Sequence, residues 1–316
     1  MDSKPRVAVL IAVFNGEKFL KQQLDSVLAQ TYKNFKIYIS DDNSSDSTPK
    51  ILSTYKKEYP DVIFSTKNPV CLGFVKHFEH MLKNSCEEYI FFCDQDDIWQ
   101  KNKIAISMDA MMKLESLHRG KPCLVHSDLC MIDGNESVLY YSYFRYRKYR
   151  LKERKDLGHI LGPCGIMGNT MLINGKLKEI VLPFPDKLDS HDYWIGVNNE
   201  LFGVRKTLQQ PLVQYRIHDT NTSNSRMSLL PKKFKWNRDI RLPNMETNRK
   251  YYLKELYEKV DLPKDRRILR AYLAYLEFAK NRIAISVDLL RYSLLKRDLS
   301  FRIKFFFKLL LTNRYR

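Results

Sequence analysis

Three carboxylates stand within four residues at Asp94-Gln95-Asp96-Asp97, directly after an apolar run. Carboxylates this close repel one another, so they need a cation or several hydrogen bonds. Hard oxygen ligands of this kind suit Mg²⁺ or Mn²⁺, and such a cation can hold a diphosphate. The same residues also suit a solvated acidic turn or the start of a helix. The motif alone therefore allows both a metal–diphosphate site and a plain turn.

Two further groups of polar residues could take part in chemistry. In the first, Asp41-Asp42-Asn43-Ser44-Ser45, a carboxylate could accept a hydrogen bond from a base or ribose, although these are also ordinary turn residues. In the second, Asp192 lies between His191 and large aromatic residues. Such surroundings can raise the pKa of a carboxyl group, as a general base requires, but a helix that simply begins with Asp has the same pattern.

The roles of one further residue and one further segment depend on where the fold places them. His218 becomes a candidate ligand only if folding brings it to the carboxylates. Gly162–Asn169 contains three glycines, which allow close approach of a backbone to a ligand. Because it lacks the lysine and the spacing of a P-loop, we do not predict an ATP site there.

These residues are predicted to lie at strand ends in an α/β fold. Val7–Val13 and Tyr89–Cys93 are apolar runs typical of strands buried on both faces, and residues 35–39 and 62–65 are predicted as further strands. Helices are predicted between them, over residues 20–31, 48–59 and 73–82. This alternation predicts a parallel sheet with right-handed crossovers, in which ligands bind beyond the carboxyl ends of the strands. Both acidic clusters follow such ends.

Charge is distributed unevenly along the 316 residues. The net charge is +18, and residues 226–316 carry 24 Lys and Arg against 9 Asp and Glu. This excess favours an anionic partner such as nucleic acid, an acidic membrane surface or a phosphorylated lipid, or else a merely basic helical surface. No apolar run approaches the roughly 18–20 residues that span a bilayer, and the N-terminus lacks a signal-peptide pattern, so we expect a cytoplasmic protein. The six cysteines form no C-x-x-C pair and are expected to be reduced.

A composition shift near residues 222–232 predicts two parts, residues 1–228 and a basic helical region over 229–316. Residues 248–280 and 282–312 have helical patterns. The stretch 301–311 mixes a dense apolar face with basic residues, as an amphipathic helix lying on a membrane surface does. A helix packed on the domain, or in a dimer interface, has the same pattern.

The order of the motifs, from AVFNGEKFL through ISDDNSSDST, FFCDQDDIW, GNTMLIN and HDYW to YRIHDTNTS, resembles family 2 glycosyltransferases with the GT-A fold. The resemblance covers about residues 5–224, and its most specific part is FCDQDDIW. That form, with the short basic C-terminal region, looks like bacterial rhamnosyltransferases of cell-envelope polysaccharide synthesis. The fold implied is a mixed, mainly parallel sheet with flanking helices. Many relatives have Gly where this chain has Asn43, and we expect Asn to substitute there without consequence.

The resemblance also implies roles for individual residues. Asp192 would be the catalytic base of an inverting transfer, and Asp42 would contact the nucleobase. The residues implied at the nucleotide pocket are Asn15, Asp41, Asp42, Lys76, Asp94 and Asp96. The residues implied as ligands of Mn²⁺ or Mg²⁺ are Asp94, Asp96 and His218.

The implied partners are a nucleotide-sugar donor and a saccharide acceptor. dTDP-L-rhamnose is the first candidate donor, with UDP-galactose, UDP-glucose or a UDP-N-acetylhexosamine as alternatives. The acceptor is expected on a polyprenyl diphosphate, with the basic region at the inner face of the cell membrane and a homodimer as a further option. A nucleic-acid-binding protein is disfavoured because no recognisable binding motif is present. A sugar nucleotidyltransferase usually needs a basic, glycine-rich N-terminal loop that binds a triphosphate. That class is disfavoured because residues 12–18 offer only one Gly and one Lys.

Overall fold

The computed structural model describes residues 4–153, 155–218, 248–277, 281–295 and 298–311. The strands found in these ranges are β1 Val7–Val13, β2 Phe35–Asp41, β3 Ile63–Lys67, β4 Tyr89–Cys93, β5 Ile98–Trp99, β6 Cys123–Ile132, β7 Val138–Tyr140, β8 Leu172–Asn174 and β9 Val204–Arg216. The helices are α1 Leu20–Leu28, α2 Thr48–Glu58, α3 Phe74–Asn84, α4 Lys103–Leu117, α5 Tyr143–Arg147, α6 Leu157–Leu161, α7 Gly175–Val181, α8 His191–Phe202, α9 Arg249–Lys259, α10 Pro263–Leu276, α11 Arg282–Arg291 and α12 Leu299–Leu311.

All nine strands belong to one sheet, in the order β3-β2-β1-β4-β8-β6-β9-β5, with β7 paired to β6. The ladders of β1 with β2 and β4, of β2 with β3, and of β6 with β9 are parallel and contain most of the paired residues. β8 runs antiparallel between β4 and β6, so β6 and β9 point the same way as β4. The predicted mixed, mainly parallel sheet with flanking helices is confirmed. Its geometry brings the carboxyl ends of β1, β2, β4, β6 and β9 to one edge.

The first strand shows why this sheet forms. Val7–Val13 is almost completely buried, and its alternate side chains point to opposite faces. Ala8 and Leu10 join a cluster with α3, α6, α8 and the C-terminal helices, while Val9 and Ile11 join a second cluster with α1, α2 and α4. Burial on both faces explains the unbroken apolar sequence.

The bounds of two early elements differ from the prediction. α1 ends at Leu28, and not near residue 31, because the chain turns away to the loop before α4: the Thr31 amide donates to the Lys101 carbonyl over 2.8 Å, and Gln30 donates to the Gln100 carbonyl. β2 continues to Asp41, because Asp41 pairs with Val13 at the end of β1. Asp41 is therefore the last residue of a strand and sits at the carboxyl edge of the sheet.

The C-terminal region packs on the body of the protein. Each of the two predicted long helices is divided in two, the first because Pro263 begins a new helix. Residues of α9 to α12 share the cluster that contains α6 and α8. The backbone of α6 and the chain after α11 approach so closely that a Cβ on Gly158 would collide with the carbonyl oxygen of Tyr292. The predicted division at residue 228 lies outside the described residues, and so do the basic residues Arg314 and Arg316 that follow the predicted membrane-binding stretch of residues 301–311.

α12 buries one side and exposes the other. Phe305 is buried against Tyr275 of α10, whereas Leu299, Ile303 and Phe307 are at least half exposed. None of the helices in the described part of the chain is long and apolar enough to cross a membrane. The cysteines are free thiols, with Cys71 and Cys86 exposed and the other four buried or half-buried.

Candidate active site

The end of β4 and the end of β9 bring Asp96 and His218 into direct contact. The Nε2 atom of His218 lies 2.8 Å from Oδ2 of Asp96, and both side chains are largely buried. Phe19 packs against the imidazole with ring centroids 5.0 Å apart. Two of the three residues expected to bind a metal are therefore adjacent, although 122 residues separate them in the sequence.

Asp94, the third expected ligand, lies beside this pair. Burial, together with the nearby carboxylates of Asp96 and Asp192, raises the pKa of Asp94 to about 7 against a smaller opposing effect of Lys103. Carboxylates crowded in this way are stabilised by a cation, and oxygen and imidazole donors suit Mn²⁺ or Mg²⁺. Within the described ranges, no three His, Cys, Asp or Glu side chains are already gathered as a preformed metal cluster. The donor set thus fits a divalent cation that would draw Asp94, Asp96 and His218 together on binding.

Asp97 serves a different purpose from its acidic neighbours. It is fully buried and accepts hydrogen bonds from the Arg216 amide, over 3.1 Å, and from the Asn169 side chain. Burial and the nearby carboxylates raise the pKa of Asp97 well above its usual value. Arg216 also donates through Nε to the Asp96 carbonyl, over 3.0 Å. These bonds fasten the acidic loop, residues 94–97, to β9 and to the glycine-bearing loop, residues 162–169.

Lys103, at the start of α4, is a buried cation under the acidic loop. Its Nζ donates to the Asn169 carbonyl over 2.6 Å and lies 3.3 Å from the centroid of the Trp99 ring. Burial lowers the pKa of Lys103 to about 7, and the charges of Asp97 and Asp94 oppose that shift. Lys103 therefore supplies positive charge and a hydrogen bond where the acidic loop and the glycine-bearing loop meet.

Asp192 lies in the first turn of α8, beside the same cluster. Its carboxylate accepts hydrogen bonds from the Tyr193 amide, over 2.7 Å, from the Gly168 amide and from the Ser190 hydroxyl. Burial raises the pKa of Asp192, and these hydrogen bonds and the charge of Arg249 oppose the rise. Asp192 raises the pKa of Asp94 in turn, so the two carboxylates lie close together. A half-buried carboxylate with a raised pKa can act as a general base.

The preceding residue, His191, is a core residue. Its ring stacks on Phe78 with centroids 4.4 Å apart, and burial lowers its pKa to about 3. Neither ring nitrogen has a hydrogen-bond partner in the described part of the chain. Gly168 leaves room for this ring, because a Cβ at that position would lie 2.9 Å from Nε2 of His191. His191 therefore orients the start of α8, and the glycine-bearing loop approaches Asp192 closely.

Arg249, from the C-terminal helix α9, also reaches this region. Its guanidinium lies 3.8 Å from the centroid of the Tyr193 ring, and the hydroxyls of Tyr252 and Tyr272 are within its electrostatic reach. It lowers the pKa of Asp192 against the effect of burial. The C-terminal region thus contributes a positive charge near the candidate base.

The two carboxylates at the end of β2, those of Asp41 and Asp42, differ in how many hydrogen bonds they accept. Asp42 accepts hydrogen bonds from four donors of one loop, the Leu72 and Gly73 amides at 2.8 and 2.9 Å, the Asn68 side chain and the Cys71 thiol. These bonds lower the pKa of Asp42 although its burial opposes them. Asp41 accepts one bond from the Ser44 amide, and its Oδ2 has no partner among the described residues.

Asn15 and Lys76, both expected near the nucleotide pocket, have different surroundings. Asn15 adopts a φ of 48° and accepts a hydrogen bond from the Ser45 amide, which fastens the end of β1 to the loop after β2. In that loop Asn43 has a φ of 68°, a left-handed conformation that Asn tolerates. Lys76 pairs with Glu79 on α3 at 2.8 Å and with exposed Asp186 at 3.7 Å.

The structure therefore places Asp41, Asp94, Asp96, Asp192 and His218 at the same edge of the sheet, with Asp96 and His218 in direct contact. The residues after His218 in YRIHDTNTS lie outside the described residues. Three cations lie at this site in the described part of the chain, Lys103, Arg216 and Arg249, and no sequence pattern marks them as site residues. Arg216 belongs to YRIHDTNTS and Lys103 stands four residues after Trp99, but their burial follows from tertiary packing that no local pattern shows.

Comparison with known proteins identifies the family. The sequence profile of glycosyl transferase family 2 matches residues 8–172. The chain is 27% identical over 227 residues to the UDP-Glc:alpha-D-GlcNAc-diphosphoundecaprenol beta-1,3-glucosyltransferase WfaP of Escherichia coli, covering 71% of this chain and 82% of that protein. It is 36% identical over 106 residues to the dTDP-rhamnosyl transferase RfbG of Shigella flexneri, covering 32% of this chain and 37% of the relative.

Solved structures show the same fold at low sequence identity. Staphylococcus aureus TarS 1-349 in complex with UDP-GlcNAc has a TM-score of 0.56 at 15% identity, over 96% of this chain and 81% of the TarS 1-349 chain. The mannosyltransferase PcManGT of Pyrobaculum calidifontis, in complex with GDP-Man and Mn²⁺, has a TM-score of 0.54 at 16% identity, over 98% and 88% of the two chains. These neighbours are GT-A glycosyltransferases, so the fold is GT-A. The chain belongs to the family 2 glycosyltransferases.

Proposed function

We propose that this protein transfers a sugar from a nucleoside-diphosphate donor to a saccharide hydroxyl with inversion of configuration. The observation that carries the proposal is the contact of Asp96 with His218 at the carboxyl edge of the sheet, with Asp94 and Asp192 within electrostatic reach of one another beside it. Asp94, Asp96 and His218 offer donors for a cation that holds a diphosphate, and Asp192 offers a carboxylate with a raised pKa. Transfer between a donor and an acceptor needs both.

Asp192 is the proposed base. Its ionised carboxylate takes the proton of the acceptor hydroxyl as that oxygen bonds to the anomeric carbon, and the bond from that carbon to the diphosphate breaks on the opposite face. A single base suffices, because no covalent glycosyl–enzyme intermediate forms. The hydrogen bonds from Tyr193 and Gly168 hold the carboxylate at the start of α8, and Arg249 favours its ionised form.

Asp96 and His218, with Asp94, would hold a divalent cation. When bound, Mn²⁺ or Mg²⁺ neutralises the charge that grows on the departing diphosphate. Asp97, Lys103 and Arg216 keep the acidic loop in place through their hydrogen bonds. In the nucleotide pocket, the unpartnered Oδ2 of Asp41 can accept a hydrogen bond from the base or ribose, and Asp42 fixes the adjoining loop.

The first candidate donor is dTDP-L-rhamnose, which the FCDQDDIW form and the partial match to RfbG support. UDP-glucose is the second candidate, because the match to WfaP covers more of the chain. The name of WfaP also supports an acceptor linked to a polyprenyl diphosphate. The protein would then take part in polysaccharide synthesis at the inner face of the cell membrane.

The experiment is nucleotide release from a donor panel of dTDP-L-rhamnose, UDP-glucose, UDP-galactose and UDP-N-acetylglucosamine, with Mn²⁺ or with EDTA. We expect turnover of dTDP-L-rhamnose with Mn²⁺ and loss of that turnover in Asp96→Ala. Turnover of a UDP-sugar in its place would keep the mechanism and replace the donor. A protein that neither turns over any donor nor gains thermal stability from UDP or dTDP would contradict the proposed function.

A further inference from the structure

A basic and aromatic segment lies beside the site, over residues 138–150, and we name it the tyrosine–arginine segment. It contains five Tyr, three Arg and one Lys and has no acidic residue. It forms β7, the short helix α5 and the turn that follows them. The proposed chemistry of the site assigns it no part.

The segment is held firmly on the sheet. Buried Asp128, in β6, accepts hydrogen bonds from the Phe144 amide, over 3.0 Å, and from the Ser142 hydroxyl. Tyr140 of β7 pairs with Met131 of β6. The side chains of Tyr143 and Phe144, both in α5, are buried. The outward side chains of this short helix are therefore presented from a fixed base.

The segment borders the catalytic edge of the sheet at two of its residues, Tyr140 and Tyr143. Burial raises the pKa of Tyr143, Arg147 opposes the rise and Asp192 adds to it, so the Tyr143 hydroxyl lies within electrostatic reach of the proposed base. Met131 pairs with both Tyr140 and Tyr215, and Tyr215 stands three residues before His218. An acceptor lying on the segment could therefore place a hydroxyl at Asp192.

The segment combines two exposed tyrosine rings with a half-buried cation. The rings of Tyr140 and Tyr146 lie with centroids 4.3 Å apart, and both side chains are more than a third exposed. The guanidinium of Arg147 lies 5.8 and 5.7 Å from the ring centroids of Tyr143 and Tyr149. Its Nε is buried and has no hydrogen-bond partner among the described residues. Exposed aromatic rings beside a cation suit a ligand that has both an apolar face and an anionic group.

We propose that the tyrosine–arginine segment is the acceptor subsite and takes a saccharide that carries a phosphate or diphosphate group. The C–H face of a sugar ring packs on the tyrosine rings, and the phosphate oxygens accept hydrogen bonds from Arg147. The inference rests on the proposed function, because it gives the substrate class for the acceptor side of the same site.

The experiment measures binding to the full chain by calorimetry with defined probes. The probes are N-acetyl-α-D-glucosamine 1-phosphate, N-acetylglucosamine, inorganic phosphate and the farnesyl diphosphate ester of N-acetylglucosamine, with UDP as a separate donor-site probe. The variants are Tyr146→Ala, Arg147→Gln and Arg147→Lys. Phe64→Ala is the matched control, because Phe64 is an exposed ring packed on Tyr38 at the opposite edge of the sheet.

We expect the wild-type protein to bind the sugar phosphate at least about tenfold more tightly than the sugar or phosphate alone. Tyr146→Ala and Arg147→Gln should each weaken that binding about tenfold, while Arg147→Lys keeps part of it and Phe64→Ala all of it. UDP binding should not change in any of these variants. Tighter binding of the farnesyl ester would identify a lipid-linked acceptor, and equal binding a soluble one; both support the subsite.

Three results would overturn the inference. The first is no binding of either phosphorylated sugar by the wild-type protein. The second is unchanged binding of the sugar phosphate in Tyr146→Ala and Arg147→Gln. The third is that these two variants lose affinity for sugar-free anionic vesicles and keep their affinity for the sugar phosphate. A parallel loss of UDP binding would assign the segment to the donor pocket and also overturn it. Failure of the proposed function is distinguishable, since it appears as absent UDP and dTDP binding in the wild-type protein.

Discussion

The Nε2 atom of His218 lies 2.8 Å from Oδ2 of Asp96, although the two residues follow different strands of the sheet. The contact exists because antiparallel β8 joins β4 to β6, so that β4, β6 and β9 all end at the same edge. Buried Arg216 secures it by donating to the Asp96 carbonyl and to the side chain of Gln22. The two candidate ligands are thus placed by strand order.

Replacing the proposed base should abolish transfer and spare the donor site. We expect Asp192→Asn to lower kcat about 10²- to 10⁴-fold, because the amide cannot accept the acceptor proton. Its affinity for UDP and dTDP should not change. Asp186→Asn is the matched control, since Asp186 is a fully exposed carboxylate shortly before α8. Steady-state kinetics with the active donor test this, and Asp192→Asn retaining more than a tenth of wild-type kcat would exclude Asp192 as the base.

The pH dependence of kcat/KM should change when Arg249 is replaced by an uncharged residue. Burial raises the pKa of Asp192 and Arg249 lowers it. Because the base acts when ionised, kcat/KM should fall as the pH drops through this pKa. Arg249→Gln removes the opposing charge, so the pKa should rise and the acid limb should move to higher pH. Arg249→Lys should keep the wild-type limb.

The control for this shift is Arg270→Gln, which removes an exposed arginine that stacks on Tyr257. Profiles of kcat/KM against pH, with melting temperatures to confirm folding, provide the measurement. Superimposable acid limbs for the wild-type protein and Arg249→Gln would show that this cation does not act on the base.

Much of the fold could be predicted from local patterns. Val7–Val13 and Tyr89–Cys93 have the predicted bounds, because strands buried on both faces leave an unmistakable apolar run. The antiparallel direction of Leu172–Asn174 was not predicted, since three residues carry no directional signal. Local sequence patterns also could not show that the carboxylate of Asp42 accepts its hydrogen bonds from the loop of residues 68–73. Burial of Lys103 beneath the acidic loop needs the assembled sheet.

Lys103 should be important for stability. Lys103→Met leaves the buried carbonyl of Asn169 without its donor and removes positive charge beside Asp97. We expect the free energy of unfolding to fall by about 2–3 kcal/mol. Lys101→Met is the control, since Lys101 is exposed two residues earlier. Urea denaturation measures the difference, and equal midpoints for the two variants would refute the role of Lys103.

The basic C-terminal helix should tether the protein to anionic membranes. Leu299, Ile303 and Phe307 are exposed on α12, and residues 292–316 contain seven Lys and Arg against one Asp. Basic residues near an anionic leaflet contribute about 1 kcal/mol each. Reversing Lys304, Lys308 and Arg314 to Glu should therefore weaken binding to phosphatidylglycerol vesicles at least about a hundredfold.

Reversing the exposed Lys50, Lys56 and Lys57 on α2 to Glu makes the same change in total charge at another site. This control should still float with the vesicles in a density gradient. Equal flotation of the two triple variants would show that net charge, and not the C-terminal helix, determines membrane binding.

The central claim is that Asp96 and His218 form a site for a divalent cation and a nucleoside diphosphate. It is tested most directly by calorimetric titration of UDP and dTDP, with Mn²⁺ and with EDTA, into the wild-type protein, Asp96→Ala and His218→Ala. We predict that Mn²⁺ increases the affinity of the wild-type protein for at least one nucleotide about tenfold or more, and that either substitution removes this increase. Nucleotide affinity that is the same with Mn²⁺ and with EDTA, or an increase that survives both substitutions, would contradict the account.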